Sequence, residues 1–101
     1  MPEISAEELK QAVKLKEDIF LLDVRTELEY DEHFILGAVN IPFNELHERI
    51  GEVPQSKKVI TISQDGVRSK AAAKFLRANG FKAESMKGGM EAWDAINTED
   101  E

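Results

Sequence analysis

Two short apolar runs, Ile19-Phe20-Leu21-Leu22 and Val59-Ile60-Thr61-Ile62, constrain the fold of this chain more than any other feature. Neither run alternates polar with apolar residues, so each reads as a strand buried on both faces. A strand of that kind needs a covering layer on each side. The segments between the runs carry helical spacing, and short apolar strands alternating with helices imply a parallel sheet sandwiched by helices. The predicted class is therefore α/β. At 101 residues the chain is read as one domain, residues 1–101.

Local signals fill in the order of elements. Ser5 followed by Glu8 is a capping-box pattern, and Ile4 and Leu9 flank it at hydrophobic-staple positions. Leu9, Ala12 and Val13 then mark one face of a first helix. Thr26 to Glu32 is predicted as a short helix or turn. Ala38-Val39-Asn40-Ile41 reads as a second strand, ended by Pro42, which has no N–H to donate. Asn44 is placed to cap a helix carrying Leu46 and Ile50. Pro54 to Lys58 is a turn before the strand at Val59. Ala72, Phe75 and Leu76 give the following helix its buried face, and Gly80 is its stop signal. Phe81 to Met86 is a last strand. After the turn Lys87-Gly88-Gly89, the residues Met90, Trp93 and Ile96 lie along a terminal helix, with Met90 and Trp93 expected in the core. An acidic tail is predicted over about residues 97–101.

Composition narrows the function classes. A formal net charge of −7 disfavours nucleic acid, whose phosphates need basic surface, and equally an anionic membrane. No apolar run is long enough for a transmembrane helix, and the acidic start Met1-Pro2-Glu3-Ile4 does not resemble a signal peptide. The default expectation is cytoplasmic. The absence of cysteine excludes disulfides and thiolate metal sites. His33 and His47 lack the clustered partners of a metal site, so they are read as surface or packing residues, and no metal or cofactor is expected.

The chemistry points to one loop. Val59 to Ile62 runs into Ser63-Gln64-Asp65-Gly66-Val67-Arg68-Ser69, with a helix behind it. In parallel sheets ligands bind at the carboxyl ends of strands. A strand-to-helix loop there can turn several N–H groups into one bowl, helped by the helix dipole and by a glycine. An ordinary connection with a turn glycine has the same local pattern, so the loop alone decides nothing. Three motifs in order do more. Leu22-Asp23-Val24-Arg25, then Glu29-Tyr30, then Ile35-Leu36-Gly37-Ala38-Val39-Asn40-Ile41-Pro42 resembles the first signature of the rhodanese domain. Ser63 to Ser69 resembles that family's Cys-x-x-Gly-x-Arg-Ser loop, and Gly88-Gly89-Met90-Glu91-Ala92-Trp93 resembles its C-terminal signature.

The resemblance covers nearly the whole chain. It implies a rhodanese-like three-layer sandwich with a parallel sheet of about five strands flanked by helices. It also implies sulfane-sulfur transfer, in which a loop cysteine holds sulfur as a persulfide and passes it to a thiol or cyanide. A small sulfur donor or acceptor, or a thiol protein, would be the partner. The catalytic position falls on Ser63, with Arg68 beside it, and the anion- or substrate-binding loop comprises Ser63, Gln64, Asp65, Gly66, Val67 and Arg68.

This sequence departs from the family pattern where it matters most. Ser63 stands in place of the sulfur-carrying cysteine, and a hydroxyl without an adjacent base is a weak nucleophile. Asp65 adds a negative charge that opposes a dianion such as thiosulfate. His33 sits one place away from the family's Gly-His-Ile histidine. Two roles stand open for Arg68: it holds an anion or persulfide, or it forms a structural ion pair at the helix start. Asp23 and Arg25 are read as fold-holding. Three functions remain. One is a sulfurtransferase-family domain that is inactive because Ser63 replaces the cysteine. Another is a naturally non-catalytic module that recognises a protein or a small anion. The weakest is a phosphatase-like relative, whose loop is generally one residue longer.

Overall fold

A computed structural model describes residues 2–97. Its order is β1 (Glu3–Ile4), α1 (Ala6–Lys14), β2 (Ile19–Asp23), α2 (Glu27–Glu32), β3 (Val39–Asn40), 3₁₀ turns at Phe43–Glu45 and Ile50–Glu52, β4 (Lys58–Ile62), α3 (Val67–Ala78), β5 (Lys82–Met86) and α4 (Gly89–Asn97). The five strands form one sheet in the order β1-β5-β4-β2-β3, and every pairing is parallel.

Side-chain alternation along the strands divides the core in two. Leu22, Val59 and Ala83 face one way and pack with Ala72, Ala73 and Leu76 of α3, together with Ile41, Leu46 and Val53. Leu21, Ile60, Ile62 and Met86 face the other way and pack with Ala6 and Leu9 of α1 and Met90 of α4. Both faces of β2 and β4 are therefore covered, which is why those strands show no polar alternation. Each fully buried Leu or Ile contributes about 1.5–3 kcal/mol of hydrophobic stabilisation.

The strand order reverses direction between β2 and β4. From β2 the chain passes to β3 on one side, and from β4 it passes to β5 on the other. Such a switch point opens a crevice at the carboxyl ends of the two strands. Asp23 ends β2, Ile62 ends β4, and the two are register partners, so the loops beginning at Val24 and Ser63 share that crevice.

Several expectations hold and several change. The Ser5–Glu8 capping box forms, with Glu8 N–H donating to Ser5 Oγ at 3.0 Å and Ser5 N–H to Glu8 Oε1 at 2.9 Å. Gly80, at φ +89, closes α3 as expected, with Phe81 N–H reaching back to Leu76 O. The strand expected at 38–41 is only Val39–Asn40. The helix expected after Asn44 is two 3₁₀ turns, and Pro42, not Asn44, stands at the first turn's start without a side-chain cap. Gly51 and Pro54 interrupt a longer helix there, and Leu46 and Val53, with half-buried Ile50, anchor the segment to the core. Val13 is exposed rather than on the core face, and Trp93 is only half-buried. Asn97 belongs to α4, so the tail begins later than expected; the rest of that predicted tail, residues 98–101, lies outside the described residues.

The division of the core sets a stability contrast. Leu22 is wholly buried and Leu36 is 87% exposed. Leu22→Ala is expected to cost about 2–5 kcal/mol in urea denaturation, and Leu36→Ala to stay within about 0.5 kcal/mol.

Candidate functional site

Residues 63–66 turn the chain from the end of β4 into α3. Gly66 stands at the helix N-cap with φ +95, a conformation that a side chain resists, and a Cβ there would meet the Gly88 nitrogen at 3.0 Å. The start of α4 grips the other side of the loop. Met90 N–H donates to Ser63 O at 2.8 Å and Glu91 N–H to Gln64 O at 3.1 Å. This approach requires Gly89, because a Cβ there would lie 2.4 Å from Ser63 O and 2.6 Å from Gln64 C. A trans peptide points its N–H opposite to its C=O. With both carbonyls drawn to α4, the N–H groups of Gln64 and Asp65 face away from it. Those two N–H groups and that of Arg68 donate to no partner among the described residues.

Ser63 itself is completely buried. Its Oγ accepts from Gly66 N–H at 3.0 Å and Ser69 N–H at 3.1 Å, and donates to Ser69 Oγ at 2.9 Å. Ser69 Oγ in turn donates to Gly66 O and meets Ser85 Oγ at 2.8 Å. Strand parity explains the cluster: Thr61, Ser63 and Ser85 all point to the α3 face, and Thr61 Oγ1 donates to Ser69 O at 2.7 Å. The Ser63 hydroxyl thus uses its one donor and both acceptor positions. Its proton goes to another hydroxyl rather than to a base, so it is not activated as a nucleophile.

Charged residues around the loop are paired. Arg25 is buried and its guanidinium grips the Asp23 carboxylate, with Nη2–Oδ2 at 2.8 Å. Nη2 of Arg25 also donates to His33 O at 2.5 Å, and Nη1 reaches Gln64 Oε1 at 3.4 Å. Asp23 and Arg25 therefore tie β2 to the segment after α2 and touch the loop. Arg68 donates two parallel hydrogen bonds to Glu29, both 2.9 Å. Of the two roles open for Arg68, the ion pair is the one formed here. Asp65 is exposed, and its Oδ1 accepts from Val67 N–H at 3.0 Å, so its carboxylate caps the helix start without entering the Ser63 position. His33 pairs with Asp94 at the surface, and His47 packs on Phe75. An open depression of about 430 Å³ lined by Ile50, Gly51, Val53, Gln55, Asn79 and Phe81 lies beyond the opposite end of α3, away from the loop.

Two amides at a helix start thus converge on a buried polar side chain. A family model described as "Rhodanese-like domain" matches residues 5–96. The chain belongs to the rhodanese-like domain family. It is 35% identical over 92 residues to the putative sulfurtransferase YtwF of Bacillus subtilis, covering 91% of this chain and 89% of that protein. It is 34% identical over 94 residues to the thiosulfate sulfurtransferase GlpE of Coxiella burnetii, covering 92% of this chain and 87% of that protein. A rhodanese-related protein from Thermoplasma volcanium has a similar crystal structure: TM-score 0.88, 31% identity, 95% of this chain and 93% of that one. The rhodanese-like α/β sandwich is therefore shown for this chain.

Three residues escaped the sequence reading of the site. Glu29 was legible only as part of a signature, although Thr26-x-x-Glu29 is a capping-box pattern. Both capping bonds form, Thr26 N–H to Glu29 Oε1 at 2.9 Å and Glu29 N–H to Thr26 Oγ1 at 3.2 Å. That pattern fixes Glu29 on the first turn of α2, facing Arg68. Ser69 and Ser85 carried no signal beyond the parity of β5 and the family's terminal serine. The Arg68 guanidinium, with the Thr26 cap behind it, lowers the Glu29 pKa from 4.5 to about 2. A depressed folded-state pKa gives stability that is present above the unfolded value and lost as pH falls. Glu29→Gln should thus flatten the loss of stability between about pH 5 and pH 2 by about 1 kcal/mol, a figure reduced for partial exposure of the pair. Urea titrations at several pH values check this, and parallel curves for both proteins would contradict it.

Proposed function

We propose that this chain is a sulfur-ligand-binding domain of the sulfurtransferase family that does not itself transfer sulfur. One observation carries the reading: the amides of Gly66 and Ser69 converge on Ser63 Oγ at 3.0 and 3.1 Å. Amides so arranged, at the start of a helix, suit a thiolate or a persulfide sulfur. The side chain they meet here is a hydroxyl, and no cysteine exists elsewhere to take its place. An oxygen-bound sulfane is not a stable carrier. The site residues in this reading are Ser63 at the base, the loop through Arg68 as the wall, and a small sulfur compound or a thiol-bearing protein as the partner, in the cytoplasm.

A second reading, a binding or regulatory module without catalysis, is favoured by the saturated hydrogen bonding of Ser63. The two readings share the bowl and differ in whether restoring a thiol restores chemistry. In that chemistry the thiolate attacks the outer sulfur of a donor, a new S–S bond forms, and the donor leaves with the old bond's electron pair. An acceptor nucleophile then removes the sulfur and regenerates the thiolate.

The chain as it stands is expected to form no thiocyanate from thiosulfate and cyanide above a heat-inactivated control. Ser63→Cys is expected to give a thiol whose alkylation rate titrates below about pH 8.5, the value for a free cysteine. That thiol should gain one sulfur atom from a small-molecule persulfide, read by intact-protein mass. A thiol titrating as a free one, and taking up no sulfur, would leave the module reading in its place.

A further inference from the structure

The cations that touch the loop are already neutralised within the chain. Arg25 is held by Asp23 in a buried pair at 2.8 Å, and Arg68 by Glu29 through two bonds of 2.9 Å. Asp65 has no ion-pair partner among the described residues, and its carboxylate is fixed in the loop by the 3.0 Å bond from Val67 N–H. Its charge and that of Asp23 both act on the Arg68 guanidinium. The five groups together leave one net negative charge at the mouth of a ring of amides. Lys70 and Lys87 are exposed on α3 and on the turn before α4. Each carries its charge on a flexible, strongly hydrated stem and neutralises little at a fixed point.

The attraction left for an anion comes from dipoles: the amides of Gln64, Asp65 and Arg68 and the start of α3. A helix start supplies about half a positive charge. That suits a singly charged or polar group and leaves most of a second negative charge unmatched beside Asp65, with the Arg68 charge already taken by Glu29.

We propose that Asp65 and Glu29 are specificity-determining residues that reserve the bowl for singly charged or neutral sulfur ligands, such as the terminal sulfur of a thiol persulfide, and exclude free dianions such as thiosulfate. The inference rests on the reading of this loop as a sulfur-ligand site and adds its substrate class. Persulfides on small thiols or on proteins present one charge at most at the transferred sulfur. Thiosulfate brings two.

Charge can be removed at both positions with the hydrogen bonds kept. Asp65→Asn retains an oxygen for Val67 N–H. Glu29→Gln retains the reach back to Thr26 N–H, because glutamine also completes a capping box. A carboxylate about 6 Å from the ligand, under water-like screening, opposes a dianion by about tenfold in affinity and a monoanion by about threefold.

The test follows amide shifts of the loop, residues 64, 65 and 68, in ¹⁵N-labelled protein titrated with thiosulfate or with thiocyanate at constant ionic strength. The unsubstituted chain is expected to bind thiocyanate more tightly than thiosulfate. Asp65→Asn and Glu29→Gln are each expected to raise thiosulfate affinity by about tenfold and thiocyanate affinity by about threefold. Thiosulfate binding to the unsubstituted chain at least as tight as thiocyanate, or equal gains for the two anions in both variants, would overturn the proposal and leave the site standing. Loop amides that respond to neither anion in any of the three proteins would overturn the sulfur-ligand reading, and this inference with it.

Discussion

Two backbone hydrogen bonds hold the site in shape: Met90 N–H to Ser63 O and Glu91 N–H to Gln64 O. They join the end of the central strand to the start of the last helix, elements 27 residues apart in the chain. By drawing two carbonyls to one side they turn two N–H groups to the other. The glycines serve this contact. Gly89 lets the α4 backbone come within reach of the loop carbonyls, and Gly66 lets the loop turn under Gly88. None of these constraints involves the side chain at position 63. The course of the loop is a property of this backbone junction.

Polar burial around the junction is tolerated because it is paired. Ser63, Ser69, Ser85 and Thr61 lie inside the sheet–helix interface with every hydroxyl hydrogen-bonded. An unpaired buried hydroxyl costs about 1–3 kcal/mol, so each member of the cluster needs a partner. The buried Asp23–Arg25 pair behaves likewise: losing one partner strands the other charge, a penalty of about 3–5 kcal/mol. Both arginines beside the loop are thus held in ion pairs within the chain.

Much of the fold was legible because its determinants are local. The unalternating runs at Ile19–Leu22 and Val59–Ile62 gave the parallel sheet, and the Ser5–Glu8 box and Gly80 marked helix ends. β1 was missed, since Glu3–Ile4 is a two-residue strand paired to β5 and shows no periodicity. The segment after Asn44 failed as a helix because Gly51 and Pro54 break it, and Leu46, Ile50 and Val53 reach α3's side of the core from two separate turns. At the site, the loop was legible through motif order. Its ion pairs were not: Glu29 and Arg68 are 39 positions apart, and they meet only because β2 and β4 pair and end side by side at the switch point.

The central claim is that the loop geometry is set by the backbone junction and not by Ser63. A crystal structure of the Ser63→Ala variant tests it most directly. The account predicts that the Met90–Ala and Glu91–Gln64 backbone bonds persist, and that the amides of residues 64, 65, 66, 68 and 69 keep their directions around a vacated centre. A flipped peptide at 63–64 or 64–65, or a loop collapsed into the space of the missing hydroxyl, would contradict it.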